Sequence, residues 1–175
     1  MRQQLINIAE QKLDIIIDLR YASSNNFTKE IIYKSNECLL HFEAFEHLSI
    51  ACELAQKLNY KIKIFDAFRP VYAQEKLWEI LPNPEFISPP LKGSPHSRGV
   101  AVDLTLTKDN VELDMGTDFD EFSKLSYHGS KEISELAYKN RLILLGIMIS
   151  AGWDFFRNEW WHFQLFNSKN YPILY

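Results

Sequence analysis

The chain has 175 residues, of which 46% are hydrophobic, 24% charged and 14% aromatic. That composition belongs to a soluble globular protein long enough to bury a substantial core without disulfide or metal staples, and it excludes a disordered or low-complexity chain. A net charge of −4 and a pI near 5.7 argue against nucleic acid or an anionic membrane surface as the main partner, because either calls for a basic stripe.

No repeat or interdomain linker is visible, so the expectation is one domain spanning residues 1–175. The start, Met1 to Asn7, lacks a basic region followed by a long apolar run, and no stretch approaches the roughly 18 apolar residues of a membrane span. A cytoplasmic location, with no membrane association, is the default reading. Cys38 and Cys52 form no CxxC pair and have no histidine at ligand spacing, so they read as reduced core thiols. Nothing in the pattern sets the oligomeric state.

In chain order, Asp14 to Tyr21 is rich in β-branched residues and reads as a strand ending at Tyr21, before a turn at Ser23-Ser24-Asn25-Asn26. From His41 to Leu58, the residues Phe42, Phe45, Leu48, Cys52, Ala55 and Leu58 recur at helical spacing. His41 and His47 are six apart, share no helical face, and read as surface or boundary residues. Tyr60 to Asp66 alternates Lys with Ile and Phe, the pattern of a half-buried strand. At Asp66-Ala67-Phe68-Arg69-Pro70, the proline holds Arg69 out of the helical region and can itself start the next helix, Val71 to Ile80. Leu81 to Gly93 carries four prolines and forms a loop placed to wall a cleft.

Gly99 to Leu106 reads as a central strand, with Ala101, Asp103 and Thr105 on one face and Val100, Val102, Leu104 and Leu106 on the other. A carboxylate in such an apolar strand needs a metal, a charge partner or neutralisation. Asp109 to Glu121 is an acidic loop. Ile133 to Ala151 reads as a buried helix with Gly152 as its C-terminal cap. The tail from Trp153 to Phe166 is strand-like and is interrupted by a turn at Arg157-Asn158-Glu159.

The residues that carry chemistry are Ser94-x-His96-x-x-Gly99-x-Ala101-x-Asp103, followed by Glu159-Trp160-Trp161-His162. Two imidazoles and two carboxylates are the donor types of a catalytic zinc site with one position open. On a regular strand Glu159 and His162 point to opposite faces, so addressing one metal requires the backbone to bend near Trp160-Trp161. Retention of a carboxylate that metal binding does not need favours an enzyme.

This signature resembles that of the M15-class zinc D-alanyl-D-alanine peptidases. Further pieces narrow the resemblance to the D-Ala-D-Ala dipeptidase family of VanX type: Arg20-Tyr21-Ala22, Asn26-Phe27-Thr28, Asp66-x-x-Arg69-Pro70, His96-Ser97-Arg98-Gly99, Met115-Gly116-Thr117 and Phe119-Asp120. The pieces lie in the family's order and cover almost the whole chain. The resemblance implies an α+β fold in which helices flank a central antiparallel sheet. It also implies one zinc ion held by His96, Asp103 and His162, with Glu159 as general base and Arg69 stabilising the transition state. Tyr21 and Asp120 match positions that hold the free amine of a small D,D-dipeptide substrate. Ser94 either donates to the substrate carboxylate or caps its own turn, and Trp160 and Trp161 pack behind Glu159 and His162. The rival readings are a D,D-carboxypeptidase acting on peptidoglycan stem peptides and a zinc-containing peptide-binding module without turnover.

Overall fold

In this computed structural model, which describes residues 5–175, the chain runs β1 (Leu5–Asn7), β2 (Ile15–Ile17), β3 (Leu39–His41), α1 (Phe42–Lys57), β4 (Lys61–Asp66), α2 (Val71–Ile80), β5 (Ala101–Lys108), β6 (Val111–Glu112), α3 (Glu135–Ser150), β7 (Trp153–Phe155) and β8 (His162–Leu165). Short 3₁₀ turns at Arg20–Ala22 and His96–Arg98 lie in two of the connections. The main sheet has the order β2-β4-β5-β8-β7, with β6 paired to the far end of β5. It is antiparallel except at its edge, where β2 pairs parallel with β4. That pair is parallel because the chain between its strands crosses over through β3 and α1, which a tight hairpin could not do. The class is α+β, as read, and β5 is central.

The alternation along β5 separates a helical face from a site face. Val100, Val102, Leu104 and Leu106 join the main hydrophobic cluster with Leu48, Ala51, Cys52 and Ala55 of α1 and Leu144, Ile147 and Met148 of α3. The buried positions of α1 follow one helical stripe, which turns its polar side outward. Both cysteines are buried and unpaired. A smaller cluster of Tyr21, Ile32, Tyr33, Ala73, Leu77 and Ile87 joins α2 to the proline-rich loop on the site side.

Caps set the helix ends. Ser134 accepts from the Ala137 amide at 3.1 Å and starts α3, a contact whose loss typically costs about 1 kcal/mol. Gly152 follows the helix at φ +89°, and a Cβ there would lie 2.6 Å from Nδ1 of His47. The helix therefore ends where the glycine allows a left-handed turn.

Two readings need correction, and a third feature goes unread in the sequence. The strand expected over Asp14 to Tyr21 is only Ile15–Ile17, and Tyr21 sits on a 3₁₀ turn. Its carbonyl accepts the amides of Ile32 and Tyr33, each at 2.9 Å, and so leaves the ladder along β4. His47 is half-buried, but His41 is buried, because β3 delivers it beneath the Tyr171 ring, 5.0 Å between centroids. Its Nδ1 accepts the Glu43 amide at 3.4 Å as the cap of α1, and burial pushes its imidazole below the ordinary range. Third, β1 and β3 form a separate two-stranded sheet that sequence periodicity does not reveal, because three residues per strand carry too little alternation. Among the described residues no helix is long and apolar enough to cross a membrane.

Candidate metal centre

The antiparallel register sets Asp103 of β5 directly opposite His162 of β8. His96 reaches the same point from its 3₁₀ turn, which closes at Gly99 with φ +69°. A Cβ at Gly99 would stand 2.7 Å from Leu5 Cδ2 and 3.3 Å from the His41 amide nitrogen, so close approach and backbone conformation both require glycine.

The three side chains are nearly inaccessible, and their donor atoms form a triangle. His162 Nδ1 lies 3.0 Å from Asp103 Oδ1, His96 Nε2 lies 3.3 Å from that oxygen, and the two imidazole nitrogens are 3.1 Å apart. Each imidazole has its other nitrogen on an acceptor: His96 Nδ1 on the Ala67 carbonyl at 2.7 Å and His162 Nε2 on Gln164 Oε1 at 3.2 Å. A carbonyl can only accept, so the His96 proton belongs on Nδ1, and the same logic puts the His162 proton on Nε2. Two imidazole lone pairs and a carboxylate oxygen then converge with no proton between them, which calls for a cation. Tetrahedral ligands about 2.05 Å from a zinc ion stand about 3.3 Å apart, close to the observed sides. The residues present fit zinc.

Glu159 and His162 share a side because the chain turns there. The His162 amide approaches the Glu159 carbonyl at 3.4 Å, Trp160 N donates to Ser126 O at 3.0 Å, and β8 starts only at His162. The required bend is thus a turn ahead of the strand. It brings Glu159 Oε2 within 3.8 Å of His162 Nδ1. Burial first, then the negative charges of Asp103 and Asp120, push the Glu159 carboxyl well above its ordinary value, with Arg69 opposing.

Arg69 lies on the other side of Asp103. Its Nη2 is 2.8 Å from Asp66 Oδ2 and 3.4 Å from Asp103 Oδ2. Asp66 faces Asp103 only because of a β-bulge between Ile64 and Asp66. In an unbroken ladder Phe65 would stand opposite Asp103, and Asp66 would turn toward the helices. Two carboxylates opposite each other repel, and the guanidinium between them offsets that repulsion. The ion pair with Asp66 therefore positions Arg69 beside the centre.

Across the site the Tyr21 hydroxyl donates to Asp120, with oxygens at 3.0 and 3.2 Å. Asp120 adopts φ +63°, an uncommon left-handed conformation for a residue with a side chain. Burial and the nearby charge of Asp103 push its carboxyl well above the usual range. Ser94 Oγ accepts the His96 amide at 3.2 Å, which leaves its O–H free to donate. All eight residues singled out in the sequence line one cavity of about 640 Å³, walled by Pro84, Phe86, Ile87 and Ser88 of the proline-rich loop.

Other residues of the site carried no sequence signal of their role. Gln164 orients His162, and Tyr33 donates to Asp66. Gln74 accepts from Arg69 Nη1 at 3.0 Å. Thr117, within a quoted motif, accepts Trp160 Nε1 at 2.8 Å. The motifs and the family resemblance identified the groups that line the cavity, whereas Gln164, Tyr33, Gln74 and Thr117 act by holding those groups or their neighbours.

The chain matches the family model described as D-ala-D-ala dipeptidase over residues 1–174. Among curated proteins it is 38% identical over 172 residues to a D-alanyl-D-alanine dipeptidase of Escherichia coli, covering 98% of this chain and 89% of that one. It is 33% identical to a protein of the same name from Enterococcus faecium, covering 90% and 89% respectively. A third, from Streptomyces coelicolor, is 27% identical, with 85% and 84% covered.

Proposed function

The chain belongs to the D-ala-D-ala dipeptidase family of peptidases, and on that premise we propose that it hydrolyses the free dipeptide D-Ala-D-Ala to two D-alanines, with one zinc ion held by His96, Asp103 and His162. The observation that carries this reading is the convergence of the His96, Asp103 and His162 donor atoms beside a buried glutamate that none of them needs. When bound, zinc supplies the Lewis acidity that makes water a competent nucleophile near neutral pH.

The protein's own groups do the rest. Glu159 is the general base: its carboxylate lies beside the ligands, 3.8 Å from His162 Nδ1, where it can take a proton from the attacking water and pass it to the leaving amine. The Arg69 guanidinium, held at the edge of the cavity, meets the negative charge that develops on the carbonyl oxygen. Asp120, steadied by Tyr21, faces the substrate ammonium, and the free O–H of Ser94 donates to the substrate carboxylate. An acid that must meet an amine selects a free dipeptide and rejects the blocked end of a longer peptide, because the blocked substrate would leave that acid unpaired.

The test is amine release by the zinc-loaded protein from D-Ala-D-Ala, N-acetyl-D-Ala-D-Ala and L-Ala-L-Ala, beside Glu159→Gln. The expected result is cleavage of the free D,D-dipeptide alone, slowed about 10²- to 10⁴-fold in the variant. Cleavage of the acetylated substrate would transfer the assignment to a carboxypeptidase, and zinc binding without cleavage would make it a binding module.

A further inference from the structure

Arg69 has five N–H groups, and the structure assigns most of them. Nε donates to Asp66 Oδ2 at 2.9 Å, Nη2 spends its two hydrogens toward Asp66 and Asp103, and Nη1 donates one to Gln74 Oε1 at 3.0 Å. Among the described residues, one Nη1 hydrogen is left without a protein acceptor. Gln74 therefore decides which Nη1 hydrogen is held back and which is offered to the cavity that Arg69 lines.

Gln74 is itself held at both ends. It lies in the first turn and a half of α2, is only 2% exposed, and its Nε2 donates to the Ser88 carbonyl at 2.7 Å. A guanidinium only donates and a carbonyl only accepts, so one orientation of the amide satisfies both neighbours and the flipped one satisfies neither. Ser88 belongs to the loop that walls the cavity. The loop is fastened again at Glu85, whose carbonyl accepts Asn158 Nδ2 at 2.8 Å, next to Glu159. Among the described residues, no other side chain of this site hydrogen-bonds both to the guanidinium and to the wall.

We propose that Gln74 is a positioning residue: its amide locks the Arg69 guanidinium in register with the 81–93 wall, so that the arginine offers its free Nη1 hydrogen only when the wall is seated. The inference rests on the dipeptidase reading of the site. It requires both halves of the amide, and two substitutions separate them. Gln74→Met removes acceptor and donor at nearly constant volume. Gln74→Glu keeps an acceptor for Arg69 but sets a carboxylate oxygen against the Ser88 carbonyl.

The experiment measures kcat and KM for D-Ala-D-Ala on the zinc-loaded wild type, Gln74→Met, Gln74→Glu, Arg69→Lys and the Arg69→Lys/Gln74→Met pair. It also follows tryptic cleavage at the exposed Lys92 of the wall loop. Misplacing a reacting group by about 1 Å can cost about 100-fold, so the expected fall in kcat for Gln74→Met is about 10- to 100-fold, with KM moved far less. That fall shrinks in the Arg69→Lys background, because the arginine it acts through is gone. Both Gln74 variants are cut faster at Lys92, and Gln74→Glu retains more kcat than Gln74→Met. Full kcat in Gln74→Met, a loss that is additive with Arg69→Lys, or a loss of thermal stability with unchanged kcat and unchanged cleavage at Lys92 would overturn the inference while the dipeptidase reading stands. A wild type that cleaves no dipeptide would overturn that reading first.

Discussion

Glu159 shows what burial does to a single carboxylate. Its carboxyl is pushed up by desolvation and by Asp103 and Asp120, so the folded protein holds that proton more tightly than the unfolded chain does. A raised acid makes stability fall as pH rises above the ordinary carboxylate value, since the unfolded state then binds fewer protons than the folded one. In metal-free protein, Glu159→Gln removes this cost. The expected result in thermal melts is a higher Tm for the variant at pH 7.5, by a few degrees, since about 1 kcal/mol moves Tm by about 2–4 °C at this chain length. The gain fades as pH is lowered toward the ordinary glutamate range, where the unfolded chain binds the proton as well. Equal Tm values across that range would show that Glu159 bears no such cost. The residue that carries this cost in metal-free protein is the one proposed as the base.

Between elements the decisive fact is how two loops are tied. Arg141 of α3 is buried and donates to the carbonyls of Met115 at 2.6 Å, Leu125 at 2.8 Å and Tyr127 at 3.2 Å. These contacts fasten both ends of the loop that carries Asp120. The loop meets the Glu159 turn through Thr117 and Trp160. Arg141→Met strands those carbonyls, and at about 1–3 kcal/mol for each group left unsatisfied the expected loss is roughly 3 kcal/mol or more. Thermal melts should show that loss. Kinetics should show a raised KM for the free dipeptide, because Asp120, proposed to face the substrate ammonium, loses its seat, and an unchanged KM would disconnect Arg141 from that proposed contact. None of this could be read from Arg141, whose partners lie 14 to 26 residues away. The legible features were local: apolar periodicity in α1, the proline at the start of α2, the glycine after α3, and the alternation that set Asp103 against the core of β5. The β-bulge that turns Asp66 toward the site was not legible, because Lys-Ile-Lys-Ile-Phe-Asp alternates until its last step. Nor was the partner of Gln74, since five residues from Arg69 matches no helical or strand period.

On the scale of the molecule, the candidate centre joins segments far apart in the chain. His96 and His162 are 66 residues apart, and with Asp103 they join a 3₁₀ turn to two sheet strands at one buried point. The hydrophobic cluster between sheet and helices lies on the other face of β5 and does not depend on those ligands. The fold should therefore survive loss of metal while its stability falls. A ligand that binds only the folded state, at 100 times its Kd, stabilises by about 2.7 kcal/mol. At about 2–4 °C per kcal/mol, removing zinc with a chelator should lower Tm by about 5–10 °C with the far-ultraviolet circular dichroism unchanged, and adding zinc should restore it. His162→Ala should melt with little response to either treatment. The zinc-dependent gain should also shrink in acid, because both imidazoles must be unprotonated to serve as ligands. A wild-type Tm indifferent to chelator and zinc, with metal content confirmed at each step, would mean that the three donors do not hold the ion. Collapse of the dichroism on chelation would mean instead that the metal organises the core, which the separation of the two faces of β5 argues against.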